Sequence, residues 1–584
     1  MDLQKFYMGE AFDAYEFFGV HREGDGFTFR TFAPNARGIT VTGEFNNWQE
    51  TPLEQYYQSG IWSCHVENVA FGQMYKYCIY GQNGRQEHCD PYGFGMELRP
   101  GACSIIRDLS EYSFTDDAWM AKRTRGYDEP LNIYEMHVGS WKKFGRQFPR
   151  YDEIADELIT YLKENNYNSV EFMPLSEHPF DGSWGYQNTG FFAPTSRYGT
   201  AAQLMELVDK LHQAEISVIM DFVPVHFATD GYGLKLYDGT HLYEYPSQDV
   251  GESEWGSCNF MHSDPRIACF IQSAANYWLQ EYHFDGLRMD AVSRLIYWQG
   301  DERRGVNGST LNFLKKMNKG LHELHPTAML IAEDSTAFPG VTKPVEEGGL
   351  GFDYKWDLGW MHDTLDYLQA APSERPGMPN RLTFSIHYFY NERYVLPFSH
   401  DEVVHGKKTI IDKLYGSYEE KFAQARLLYL YMFTHPGKKL NFMGNELAMF
   451  REWDETREPD WDLLKYPAHD SFHRFMRELN GLYLKEKPLS EYELDRESFR
   501  WIDAGEGIPC VFSYERRAGD ESLLTVLNFS DRTVSVKVPE GADLLIHTGW
   551  EKYGGTVREE EKSPDSLQPF TGAVFLVRRA ASAL

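Results

Sequence analysis

Two kinds of hydrophobic pattern run along this chain, and the pattern changes over twice. From Gly26 to about Arg107, apolar and polar residues alternate in short runs: FTFRTFAP, GITVTGEF, GIWSCHVENV and MYKYCIYG. Turn residues at Asn35–Gly38, Asn46–Asn47 and Gly81–Gly84 separate them. A period of two with such punctuation predicts antiparallel strands buried on one face, here a sandwich of immunoglobulin-like size. From Ile133 the pattern becomes unbroken apolar runs. IYEMHVGSW (Ile133–Trp141), SVEFMPL (Ser169–Leu175), SVIMDFV (Ser217–Val223), GLRMDAV (Gly286–Val292), MLIAEDS (Met329–Ser335), Phe352–Leu358, VLPFS (Val395–Ser399) and KLNFMG (Lys439–Gly444) read as eight strands. Between them, Asp152–Asn165, Ala201–Gln213, Asp264–His283, Leu311–His325 and Glu419–Thr434 have helical spacing. Continuous apolar runs belong to parallel strands covered on both faces, so the alternation predicts an α/β fold built on a (β/α)8 TIM barrel. Beyond about Leu489 the short strands return, from CVFSYERR to AVFLVRR, and predict a second, C-terminal β-sandwich with a polar tip at Ala580–Leu584. The expected domains are 1–108, an N-terminal immunoglobulin-like β-sandwich; 109–488, the barrel, with a long loop at about 226–263; and 489–584, all β.

Composition narrows the partners. A chain of 584 residues exceeds one core, and 42% hydrophobic with 15% aromatic content fits well-packed domains whose Trp and Tyr rings could also stack on sugars. The formal charge of −30 speaks against nucleic acid and against an anionic membrane, but a neutral polymer would not be repelled. The N-terminus MDLQKFYMGEAFDAYEFF has no signal-peptide core, and no later stretch offers ~18 uninterrupted apolar residues. Seven cysteines without a close CxxC pair fit reduced thiols. The expectation is a soluble cytoplasmic protein, a monomer in preference to an oligomer.

Three of the apolar runs end in carboxylates: Asp290, Glu333 and Asp401. Any one of them could cap the helix that follows its strand; together they suit an active site at the carboxyl ends of barrel strands. Paired carboxylates can cleave an acetal with retention, one attacking the sugar carbon and the other, about 5–5.5 Å away, protonating the leaving oxygen. On this reading Asp290 is the nucleophile and Glu333 the acid/base, its proton held by apolar surroundings and nearby aspartates. Arg288, two residues before Asp290, points to the same side of a strand and would keep the nucleophile ionised; it could equally close an ion pair at the barrel rim. His226 and His400 could donate to sugar hydroxyls or be ordinary structural histidines.

The four runs DFVPVHF, FDGLRMDAV, AEDST and SHDEVVHGK are similar to the four signature regions of the α-amylase superfamily. With WGYQNTGFFAPTSRYG (Trp184–Gly199) and MGNELAMFREW (Met443–Trp453), they most resemble its 1,4-α-glucan branching enzyme family, over nearly the whole chain. The segments GEFNNWQ around Trp48 and GIW at Trp62 resemble the carbohydrate-binding domain that precedes the barrel in such enzymes, although core packing would serve either tryptophan as well. The resemblance implies a glycosyltransferase of glycogen biosynthesis, with amylose or glycogen as α-1,4-glucan donor and acceptor. It places Asp401 on the hydroxyls of the distorted donor ring, and Tyr186, Asp221, His226, Arg288 and His400 around the same glucose. Phe222 where Trp is frequent, Asp334 where Glu is frequent and Asn188 where Pro is frequent depart from the pattern without touching a catalytic group. Calcium-dependent members carry Asn before the first-signature histidine; Val225 stands here and offers a hard cation no side-chain oxygen, so neither a metal nor a cofactor is expected. The three acids do not distinguish transfer from hydrolysis, which share one intermediate. The alternatives are therefore a debranching or trehalose-releasing hydrolase and, more remotely, a glucan-binding protein with a dead barrel.

Overall fold

The computed structural model describes residues 1–560 and 565–578; the polar tip expected at 580–584 lies outside them. Eight parallel strands close into a barrel: β1 (Asn132–Met136), β2 (Ser169–Phe172), β3 (Ser217–Phe222), β4 (Gly286–Met289), β5 (Met329–Ala332), β6 (Tyr354–Trp356), β7 (Tyr394–Phe398) and β8 (Lys438–Phe442). Every residue of β1 to β8 is buried, as strands sandwiched between side chains and outer helices must be. The apolar runs outlast the strands. IYEMHVGSW leaves β1 after Met136 and turns into a short helix, Val138–Trp141.

By contacts the chain divides into two compact units: 1–123 with 143–156 and 172–353, and 124–142 with 157–171 and 354–584. The first holds the N-terminal sandwich. One sheet joins Gly19–Glu23, Gly26–Phe32, Ile61–Glu67 and Glu54–Gln55; the other joins Thr51–Pro52, Gly38–Gly43, Met74–Gly81 and Gly84–His88. Phe29, Val41 and Tyr77 fill its core. Trp62 is buried there and donates to Ala33 O (3.0 Å), whereas Trp48 is exposed. The second unit ends in a five-stranded antiparallel sheet in the order Phe499–Ala504, Val511–Ala518, Glu521–Asn528, Thr571–Arg578, Asp543–His547. Within TVSVKVP (Thr533–Pro539) only Val534–Ser535 is strand, paired with Ser566–Leu567.

Helix ends follow their local chemistry. Asp264 accepts from Arg266 N ahead of Pro265–Glu281, with proline in the first turn. Ser417 and Glu420 form a capping box on Tyr418–Thr434. Among the described residues no helix is long and apolar enough to cross a membrane, and all seven cysteines are free thiols.

One buried cluster in the first unit makes stability depend on pH. His212 has Nδ1 2.7 Å from Asp116 Oδ2 and Nε2 3.0 Å from Asp285 Oδ2, so both ring nitrogens must donate and the imidazole must be charged. Burial lowers its pKa, but Asp285 and Asp116 outweigh that and push it up to about 9. Arg123, His283 and the Trp119 indole complete the surroundings of the two aspartates. A pKa raised above the unfolded value of about 6.5 means stability fully present below that pH and lost as pH rises through 9. Urea unfolding should therefore show about 3 kcal/mol drained from the native state between those limits. His212→Gln should be less stable at pH 6 and lack most of that slope; a variant with the wild-type slope would contradict the assignment.

Candidate active site

The chemistry of the site starts from strand register. β3 and β4 pair with Asp221 opposite Arg288, and β4 and β5 pair with Met289 opposite Ala332. Asp290 and Glu333 are the next residues after that last pair, so they leave neighbouring strands at the same level, where strands lie ~4.8 Å apart. Gly286 permits the approach, because a Cβ there would lie 2.7 Å from Met329 O.

Arg288 organises the carboxylates. Its Nη1 donates to Asp221 Oδ2 (2.6 Å) and to Asp290 Oδ1 (2.9 Å), and its Nη2 lies 3.7 Å from Glu333 Oε2. The guanidinium and Asp221 are fully buried, while the Asp290 and Glu333 side chains are 15% and 20% exposed. Burial by itself would lower the arginine pKa; Asp221, Tyr186, Asp290 and Glu333 together hold it well above its ordinary value. Tyr186 donates to the same Asp221 Oδ2 (2.5 Å).

Glu333 is anchored by backbone hydrogen bonds. Its Oε2 accepts from Ala291 N (2.6 Å), its carbonyl from Val292 N (2.9 Å), and its own N–H donates to Met289 O (3.0 Å). Ala291 has φ 49°, a left-handed conformation costly for a residue with a Cβ. The turn carrying the expected nucleophile is thus held in a strained shape by the expected acid/base.

The long loop at about 226–263 carries secondary structure of its own. His226–Phe227 pairs antiparallel with Cys258–Asn259, and Gln248–Gly251 is a short helix. His226 is buried, and burial, followed by the charge of Arg294, pushes its pKa down to about 3, so the ring is neutral. Its Nδ1 makes no hydrogen bond among the described residues, and its ring lies 5.3 Å from that of Trp255.

In the second unit, His400 and Asp401 follow β7. The His400 backbone donates to Glu135 Oε2 (3.0 Å), its Nδ1 lies 2.5 Å from Glu135 Oε1, and its Nε2 is 3.4 Å from Asp401 Oδ1. A buried carboxylate on Nδ1 sets the ring so that Nε2 faces the half-exposed Asp401. Glu135 was missed in the sequence; its only signal was an acid inside the apolar β1 run. Hydrogen bonds and ion pairs thus gather Tyr186, Asp221, Arg288, Asp290 and Glu333 into one group, and His400 with Asp401 into another, while His226 stands against Trp255. Among the described residues no group of three His, Cys, Asp or Glu side chains is arranged to hold a metal ion.

A closed parallel barrel with an arginine-bridged carboxylate pair beyond its fourth and fifth strands, preceded by a β-sandwich, defines a glycoside-processing enzyme of the α-amylase class. Residues 17–93 match the carbohydrate-binding module 48 family (isoamylase N-terminal domain), and residues 152–236 the alpha amylase catalytic domain. The chain is 43% identical to the 1,4-alpha-glucan branching enzyme of Bacillus caldolyticus, over 99% of this chain and 90% of that one. It is 41% identical to that of Bacillus subtilis (strain 168), over 96% and 92%. Among solved structures, a pullulanase from Anoxybacillus sp. LM18-11 complexed with maltotetraose superposes with a TM-score of 0.77 at 18% identity, covering 99% of this chain and 89% of that one. A putative alpha amylase from Salmonella typhimurium gives 0.74 at 18%, covering 96% and 100%. Those two likenesses concern the fold alone. The relatives settle the family: the chain belongs to the 1,4-α-glucan branching enzymes.

Proposed function

We propose that this enzyme cuts an internal α-1,4 bond of a glucan, holds the released segment on Asp290, and passes it to the 6-hydroxyl of an acceptor glucan. The observation that carries the reading is Arg288, whose single guanidinium reaches Asp221, Asp290 and Glu333 at once. A cation so placed keeps Asp290 anionic and aimed. Asp290 attacks the anomeric carbon as Glu333 protonates the departing 4-oxygen, giving a glycosyl ester. Glu333, now ionised, takes the proton from the incoming 6-hydroxyl as that oxygen displaces Asp290. Two inversions return the α configuration.

Asp221, already bonded to Tyr186 and Arg288, fixes the floor under the donor glucose. From the family pattern, His226, His400 and Asp401 bind its hydroxyls, and the neutral His226 can donate from one nitrogen and accept at the other. Water competes with the 6-hydroxyl for the same ester, so the test must separate the two fates. Purified protein incubated with amylose should lose iodine colour and gain the α-1,6 anomeric proton signal with no net rise in reducing ends. Rising reducing ends without α-1,6 signal would make it a hydrolase.

A further inference from the structure

Trp255 stands out because its indole is 46% exposed and yet tightly held. Its turn is closed by Ser253 and Ser257, whose hydroxyls are 2.6 Å apart. Its carbonyl accepts from Gln187 Nε2 (3.1 Å), the residue following Tyr186. Arg294 lies over one face of the ring, 4.3 Å from its centroid, and is itself fixed by Glu254 (2.5 Å) and by Gln299 Oε1 (2.9 Å). Gln299 in turn donates to the carbonyls of Asp249 and Glu252, clipping the loop to the turn Trp298–Gly300 that follows the short helix Val292–Ile296.

An exposed tryptophan that merely caps a core has no use for such bracing. Both of its supports trace to residues assigned to the donor glucose: Gln187 adjoins Tyr186, and Arg294 is four residues beyond Asp290. The ring beside it, that of His226, belongs to a third. Aromatic faces stack on the C–H faces of pyranose rings, and a ring held in advance loses little entropy when it does so.

Resting on the branching reading above, we propose that Trp255 is a stacking platform for the glucan ring adjoining the reacting glucose, and that Arg294 is its positioning residue. The platform contributes binding energy equally to ground and transition states, so its loss should act on KM more than on kcat.

For Trp255→Ala, KM for a maltooligosaccharide donor should rise about tenfold, the loss of one well-packed aromatic anchor, with kcat changed much less. Trp255→Phe should restore most of the affinity, and Arg294→Gln should raise KM by a smaller factor than Trp255→Ala. Binding of maltoheptaose measured calorimetrically in an Asp290→Ala background, with and without Trp255→Ala, should show the same ratio without turnover. An unchanged dissociation constant and KM in a Trp255→Ala protein of normal melting temperature would overturn the proposal. Failure of the branching reading would look different: amylose products without α-1,6 linkages, whatever Trp255 does to binding.

Discussion

Asp290→Ala and Glu333→Gln should each lower branching turnover by about 10⁴-fold or more, the usual scale for removing a member of a concerted catalytic set, while leaving the barrel folded. Asp290 is at the rim of its charge cluster, and its removal still leaves Arg288 bonded to Asp221, so no buried charge is stranded. Glutamine at 333 retains an oxygen to accept from Ala291 N, keeping the strained turn in place, but has no proton to give the leaving oxygen. Activity on amylose measured beside circular dichroism melting checks both. A turning-over Asp290→Ala enzyme with a normal melt would remove the covalent mechanism.

Arg288→Met should act on stability as well as on rate. Asp221 is fully buried and would lose the guanidinium that now pairs with it, and breaking a buried pair from one side typically costs about 3–5 kcal/mol. Turnover should fall by about 10³-fold, because the cation that keeps Asp290 ionised and aligned would be gone. Arg288→Lys should lie between, since a single ammonium cannot reach three carboxylates as a planar fork does. The double variant Arg288→Met with Asp221→Asn should recover much of the stability, the orphaned charge being gone, without recovering turnover. Denaturation midpoints and kcat for the set separate the two effects; a fully stable Arg288→Met protein would mean that Asp221 is neutral or solvated.

The candidate site was legible because its pattern is local. Arg288 on β4 and Asp290 just beyond its end are two residues apart, and each acid ends its own apolar run, so spacing placed the candidate carboxylates at strand ends. Parallel strands declare themselves by unbroken apolar runs and amphipathic helices by period, which is why Ala201–Gln213 has the bounds expected of it. The edge strands Gly19–Glu23 and Phe499–Ala504 were not read, because they are half exposed and their polar residues blur the alternation. The run Ile133–Trp141 overstated its strand, since both a strand and a fully buried short helix are apolar throughout.

What the sequence by itself determined is the fold class and the inventory of acids, because strand and helix periods and strand-end carboxylates depend on neighbours within a few residues. Only the tertiary structure decided which partners those groups meet. Asp221 reaches Arg288 from 67 positions away, Glu135 orients His400 from 265, Asp116 charges His212 from 96, and Arg294 braces Trp255 from another segment. Each of these pairings is made by strand register or loop packing, and hydrogen bonds and charges act over a few ångströms of space, whatever the distance along the chain.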